Sequence, residues 1–205
     1  MSILFPDKIE FYKNKSFSEH LKIEYFFFKL FQHIDYAIYK EARIQHLSNI
    51  NEKNILSPLI EYLKYYQPKI AVFAGSFNPF HKGHYNILLK AEKIFDKVII
   101  AFGENPDKNP RTFPIPYTIQ NRQIEHYNTL LTDFIQTLKY DVTVIRGLRN
   151  STDFHYEQNQ YRYMQELFPK IKIVNIFCDK IYEHISSSGI RTLQKYNQHL
   201  PYLLD

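Results

Sequence analysis

With 205 residues, 44% of them hydrophobic and 23% charged, the chain is long enough to bury a sizeable core and too apolar to be disordered. The formal net charge of +5 favours an anionic ligand, but the lysines and arginines are spread along the chain without a dense cluster, which argues against nucleic acid. A single cysteine, Cys178, excludes an internal disulfide and fits a reducing cytoplasm; no apolar run reaches the roughly 20 residues of a membrane helix, and Met1 to Asp7 lack the features of a secretory signal.

The first 69 residues contain no glycine and carry 14 of the 34 Phe and Tyr residues, which sets them apart from the rest of the chain. Phe17, Leu21, Tyr25, Phe28, Phe31, Ile34 and Ile38 recur every three or four positions. They predict one amphipathic helix, with Ser16 or Ser18 as its cap. Ser57-Pro58 predicts the start of a second, with serine as cap and proline at its first position. Two readings of this N-terminal helical extension stay open: a helical hairpin packed on the main domain, or a surface for self-association or a partner. Proline at 68 disfavours continuation of the helix, so the expected domains are 1–69 and 70–205.

From Lys69 onward, apolar β-branched runs alternate with amphipathic ones. Strands are expected at 70–74, 98–102, 123–128, 142–146 and 171–177, and helices at 84–95, 129–138, 153–168 and 187–196. Such alternation, with buried runs like Val98-Ile99-Ile100, implies an α/β fold built on a doubly wound, parallel, five-stranded sheet. Ligands of such sheets sit beyond the carboxyl ends of the strands, where the strand order switches. Gly75, Gly103 and Gly147 mark those ends on the first, second and fourth strands.

The first strand, Ile70-Ala71-Val72-Phe73, runs into Ala74-Gly75-Ser76-Phe77-Asn78-Pro79 and then His81-Lys82-Gly83-His84. A glycine turn, a helix N-terminus and two imidazoles around one point suit a polyphosphate. His81 and His84, three apart, share one side of a helical turn. Zinc ligation by the pair lacks a cysteine or carboxylate cluster to complete it, so no protein metal site is expected. Lys108 stands in the loop after the second strand, at the same edge of the sheet. Arg146 and Arg149 flank Gly147; their planar forks match phosphate oxygens, or pair with Asp153 or Glu157. Ser186, Ser187 and Ser188 open the last helix, a place that suits phosphate and also ordinary caps.

In this order the motifs resemble those of bacterial phosphopantetheine adenylyltransferases, Rossmann-like nucleotidyltransferases of the group marked by Thr/His-x-Gly-His. The resemblance spans about residues 70–200, with gaps. The Gly75–Pro79 turn and His81-x-Gly83-His84 belong to the wider group. Arg146-Gly147-Leu148-Arg149 with Asp153-Phe154-x-Tyr156-Glu157, and Ile185-Ser186-Ser187-Ser188, are specific to this family. The resemblance implies adenylyl transfer from ATP to 4′-phosphopantetheine, giving dephospho-coenzyme A and pyrophosphate, with Mg²⁺ bridging phosphates. It implies that His84 stabilises the transition state at the α-phosphate and that Lys108 and Arg146 hold the acceptor phosphate. Ser76 and Phe77 would meet both substrates, and Leu131 would line the pantetheine arm. ATP would be contacted by Ser76, Phe77, His81, His84, Gly147, Leu148, Arg149, Glu157 and the run Tyr182, Glu183, His184, Ile185, Ser186, Ser187 and Ser188. A cytoplasmic homo-oligomer is the implied assembly.

The chain departs from the family pattern in several places. Ser76 and His81 stand where threonine is usual, the stretch 111–122 is too short and proline-rich for the family's helix, and the 69 leading residues have no counterpart. Histidine at 81 is typical of related transferases, so another acceptor such as nicotinate mononucleotide is an alternative. A non-catalytic nucleotide-sensing protein is a third reading.

Overall fold

A computed structural model describes residue 5 and residues 9–50, 53–104 and 112–205. The chain divides into two units, Met1–Gln67 and Pro68–Asp205.

The first unit holds helices α1 (Phe17–Leu30), α2 (Tyr36–Asn49) and α3 (Lys53–Tyr65). α1 opens on Ser16, whose hydroxyl accepts the Glu19 N–H while the Glu19 carboxylate accepts the Ser16 N–H. The single helix expected from Phe17 to Ile38 is two helices. Asp35 accepts the N–H groups of Ala37 and Ile38 at 2.9 and 3.2 Å, and this cap starts a new helix after the turn at 31–34. The helix expected after Ser57-Pro58 begins already at Lys53 and carries Pro58 inside it. Leu56, Leu59 and Leu63, spaced three and four apart, are all buried. Their shared apolar face outweighs the one backbone bond that proline cannot donate. The expected hairpin is therefore a three-helix unit.

At its centre Arg43 is fully buried and grips Glu24 through Nε and Nη2, while Nη2 also donates to the Tyr12 hydroxyl at 2.7 Å. The rings of Phe5, Phe27 and Tyr12 lie 4.6, 5.0 and 5.7 Å from the guanidinium carbon and present their π faces to it.

The second unit is a five-stranded sheet of β1 (Ile70–Gly75), β2 (Lys97–Gly103), β3 (Ile124–Tyr127), β4 (Val142–Leu148) and β5 (Ile173–Phe177). All neighbours are parallel, in the order β3-β2-β1-β4-β5. The connections carry α4 (Lys82–Ala91), α5 (Leu131–Thr137) and α6 (Ser151–Leu167), and α7 (Ser187–Gln194) comes after β5. A parallel sheet must be covered on both faces, and Val72, Ile99, Ile100, Val144 and Ile145 are indeed fully buried. This is the doubly wound sheet expected from the sequence. β1 lies between β2 and β4, with Gly75 level with Phe102 and Phe73 level with Ile145. The chain turns to opposite sides from β1, so a crevice opens beyond the carboxyl ends of β1 and β4.

Two boundaries differ in ways that matter to that crevice. α4 begins at Lys82 instead of 84, because His81 caps it, and β4 continues through Arg146-Gly147-Leu148. An ideal Cβ on Gly147 would lie 3.1 Å from Ile87 Cγ1, so the missing side chain is what lets α4 pack this closely on β4. Among the described residues of 111–122 the only helical turn is the 3-10 stretch Tyr117–Ile119.

Replacing Glu24 with alanine would leave the Arg43 cation buried without its counter-charge. The expected loss is about 3–5 kcal/mol of stability, read as a lower urea midpoint for the helical unit.

Candidate active site

The crevice is a cleft of about 410 Å³ between the ends of β1 and β4, the first turns of α4 and α6 and the start of α7. Its floor begins at the turn after β1. Phe77 holds a left-handed backbone conformation with φ of 42°, an uncommon state for an aromatic residue. The Asn78-Pro79 peptide bond is cis. The Phe77 ring packs against Phe73, Phe80, Phe102 and His84 at centroid distances of 4.9, 5.1, 5.3 and 4.9 Å. A Cβ on Gly75 would fall 2.8 Å from that ring, so glycine there is a packing requirement of Phe77.

His81 and His84 form a reciprocal cap at the start of α4. The His81 N–H donates to His84 Nδ1 at 3.3 Å, and the His84 N–H donates to His81 Nδ1 at 3.4 Å. The two rings stack with centroids 3.6 Å apart. Because each Nδ1 accepts a hydrogen bond, each neutral ring carries its own hydrogen on Nε2. Burial, with a further contribution from Arg149, pushes the His81 pKa down to about 4. Burial, then His81 and then Arg149, hold His84 well below the usual histidine range. Both imidazoles are therefore neutral hydrogen-bond donors at physiological pH.

The two arginines of β4 and its following loop are each gripped by a carboxylate of α6. Arg146 donates from Nε and Nη2 to the two oxygens of Glu157, both at 2.6 Å, and from Nη1 to the Ala74 carbonyl at 3.0 Å. Arg149 donates from Nε and Nη2 to Asp153, both at 2.8 Å, and its backbone N–H adds a third bond at 2.9 Å. The Arg149 guanidinium holds the Asp153 carboxyl below its ordinary range. The start of α7 closes the cleft. Ser186 caps the helix by accepting the Gly189 N–H at 3.0 Å, and the Ser187 hydroxyl donates to the Pro79 carbonyl at 2.9 Å. Arg191 donates to the Asn78 carbonyl and pairs with no carboxylate among the described residues.

Of the residues expected at the site, Ser76, Phe77, His81, His84, Arg146, Gly147, Leu148, Arg149, Glu157, Ile185, Ser186, Ser187 and Ser188 all line this one cleft. Tyr182, Glu183 and His184 do not line it. They belong to the 3-10 turn Lys180–Tyr182 and its exit, and His184 instead faces the Tyr202 ring at 5.9 Å. Leu131, in the first turn of α5, is half-buried and also lies off the cleft lining. Lys108 falls outside the described residues. The sequence reading missed Tyr156, Cys178 and Arg191 as lining residues. Helical spacing carries a signal for two of them: Tyr156 is three after Asp153, and Arg191 is three after Ser188.

The model of the cytidylyltransferase-like family matches residues 72–193. The phosphopantetheine adenylyltransferase of Cytophaga hutchinsonii is 38% identical over 139 residues, covering 63% of this chain and 91% of that protein. The phosphopantetheine adenylyltransferase of Mycoplasma capricolum subsp. capricolum is 36% identical over 145 residues, 63% of this chain and 99% of that protein. That of Clostridium botulinum is 33% identical over 138 residues, 62% and 83%.

The imidazole pair makes stability depend on acid. His81 has a folded-state pKa of about 4 against an ordinary 6.5, so the unfolded chain binds more protons between those values. The contribution of His81 to stability is complete above about pH 6.5 and is lost as the pH drops toward 4. His81→Thr replaces the capping imidazole with an N-cap hydroxyl and is expected to flatten this dependence in thermal melts run from pH 7.5 to 4.5. An unchanged acid slope would rule His81 out as its cause.

Proposed function

The chain belongs to the cytidylyltransferase-like family and, within it, to the phosphopantetheine adenylyltransferases, and we propose how its own cleft carries out their reaction. It transfers an adenylyl group from ATP to 4′-phosphopantetheine. An oxygen of the acceptor phosphate attacks the α-phosphorus of ATP, the bond to the bridging oxygen of the β-phosphate breaks, and pyrophosphate leaves. The product is dephospho-coenzyme A. No covalent enzyme intermediate is needed, so the work of the protein is alignment and charge stabilisation.

The observation that carries this reading is the His81–His84 pair, two neutral Nε2–H donors at a helix start beside Arg146 and Arg149. His84 donates to the α-phosphate as negative charge builds on it in the transition state. A neutral imidazole keeps its single N–H throughout the neutral range, so the step does not depend on histidine titration there. Ser76 and Phe77 present the backbone of the turn to both substrates. Arg146, anchored between Glu157 and the Ala74 carbonyl, holds the acceptor phosphate, with Lys108 as its companion. The acceptor arm runs toward the carboxyl end of β3, where Leu131 opens α5. Gly147, Leu148, Arg149 and the α7 start take the ATP phosphates and nucleoside.

A divalent metal accompanies ATP in such transfers. Among the described residues no group of three or more His, Cys, Asp or Glu is placed to hold a metal ion, and the cleft carboxylates Asp153 and Glu157 are each engaged by an arginine. Magnesium would enter this cleft with the nucleotide and would neutralise part of the charge on its phosphates.

The test is pyrophosphate release from Mg·ATP with 4′-phosphopantetheine, with nicotinate mononucleotide in parallel. Turnover with phosphopantetheine alone is expected; turnover with only the nucleotide would assign a different acceptor. His84→Ala is expected to lower kcat by about 10²- to 10³-fold with little change in the KM for ATP, as for loss of a transition-state donor. Full activity in that variant would remove His84 from the mechanism.

A further inference from the structure

We infer that Asp153 is a positioning residue for the adenylyl transfer, acting through Arg149; the inference rests on the reaction proposed above. The carboxylate makes three bonds to one residue. Oδ2 accepts the Arg149 backbone N–H at 2.9 Å and Nε at 2.8 Å, and Oδ1 accepts Nη2 at 2.8 Å. It thereby fixes both the backbone leaving β4 and the plane of the guanidinium. Asp153 is itself anchored, because its N–H donates to the Asn150 side chain at 3.0 Å in the cap of α6.

The grip occupies one edge of the guanidinium and leaves Nη1 out of the pairing. Arg149 lines the cleft with its side chain 37% exposed, against 21% for Arg146. Arg146 is tied on a further side, with Nη1 on the Ala74 carbonyl. Arg149 thus has more of its hydrogen-bonding edge to spare for the ATP phosphates than Arg146 has, and Asp153 decides where that edge points. Arg149 is also the cation whose field reaches both His81 and His84, so its placement sets the distance between the phosphate-binding charge and the neutral donors. A guanidinium on a flexible stem, released from this carboxylate, would still attract ATP but would no longer align it.

The test is a double-mutant cycle of wild type, Asp153→Asn, Arg149→Ala and the double variant, read as kcat/KM for ATP, KM for 4′-phosphopantetheine and melting temperature. Asparagine keeps the size of the side chain and removes the charge. Asp153→Asn is expected to lower kcat/KM for ATP by about 10- to 100-fold, the order of loss for a misaligned substrate group, and to leave the KM for phosphopantetheine unchanged. The same change made in Arg149→Ala is expected to have no further effect. If that background turns over too slowly for steady-state assays, the cycle is read from single-turnover rates at saturating ATP. Asp153→Glu, which restores the charge, is expected to recover part of the loss. An equal loss in both backgrounds, or a fall in melting temperature with kcat/KM unchanged, would overturn the role. A wild-type chain inactive with this substrate pair would overturn the proposed reaction and this role with it. An active wild type indifferent to Asp153→Asn would overturn this role alone.

Discussion

The site depends on the reciprocal cap at the first turn of α4. Two imidazoles accept each other's backbone N–H groups through Nδ1, and the cap so formed leaves Nε2–H as the donor of each ring. That arrangement holds only while both rings stay neutral, because protonating either Nδ1 turns an acceptor into a second donor facing an N–H. Burial supplies the neutrality. Phe73, Phe77 and Phe80 surround His84, and Phe77 can do so because Gly75 yields the space that a side chain would take. The uncommon backbone state of Phe77 and the nearby glycine are thus parts of one device that keeps a histidine uncharged beside a phosphate site.

Charge around the pair is nearly balanced before any substrate arrives. Arg146 and Arg149 face Glu157 and Asp153, so each cation is held in place by an anion from the same helix. What remains in favour of a polyphosphate is the positive start of α4 and of α7, the two neutral donors, and Arg191, which donates to a carbonyl. Pre-paired arginines are already aligned when substrate binds, so less ordering is left for that moment. The cost is a weaker net field than bare cations would give.

Much of this is legible in the sequence because it rests on local rules. Apolar β-branched runs separated by amphipathic ones announce a parallel sheet, and glycines at the strand ends announce the edge where the cleft lies. The order of the histidine, arginine and serine motifs along that edge points to a phosphate site. Local rules misjudge places where two signals compete. Asp35 splits a stripe that looks continuous, since a side-chain cap can start a new helix without any break in apolar spacing. Pro58 looks like a helix start, while Leu56 on one side and Leu59 on the other carry the helix through it. Tyr182, Glu183 and His184 adjoin the serine run in sequence, yet a 3-10 turn takes them off the cleft. For Arg191 and Tyr156 the one local signal is their helical spacing from Ser188 and Asp153, which tells only once those two residues are known to face the cleft.

The chemistry of the cleft rests on His81 and His84 being neutral, with their hydrogens on Nε2. Long-range ¹H–¹⁵N correlation spectra of the histidine rings at pH 7 test this directly. Both residues are expected to show one nitrogen shift typical of an unprotonated acceptor at Nδ1 and one typical of a protonated nitrogen at Nε2, unchanged down to about pH 5. Protonated nitrogens at both positions of either ring at pH 7, or a hydrogen on Nδ1, would refute it.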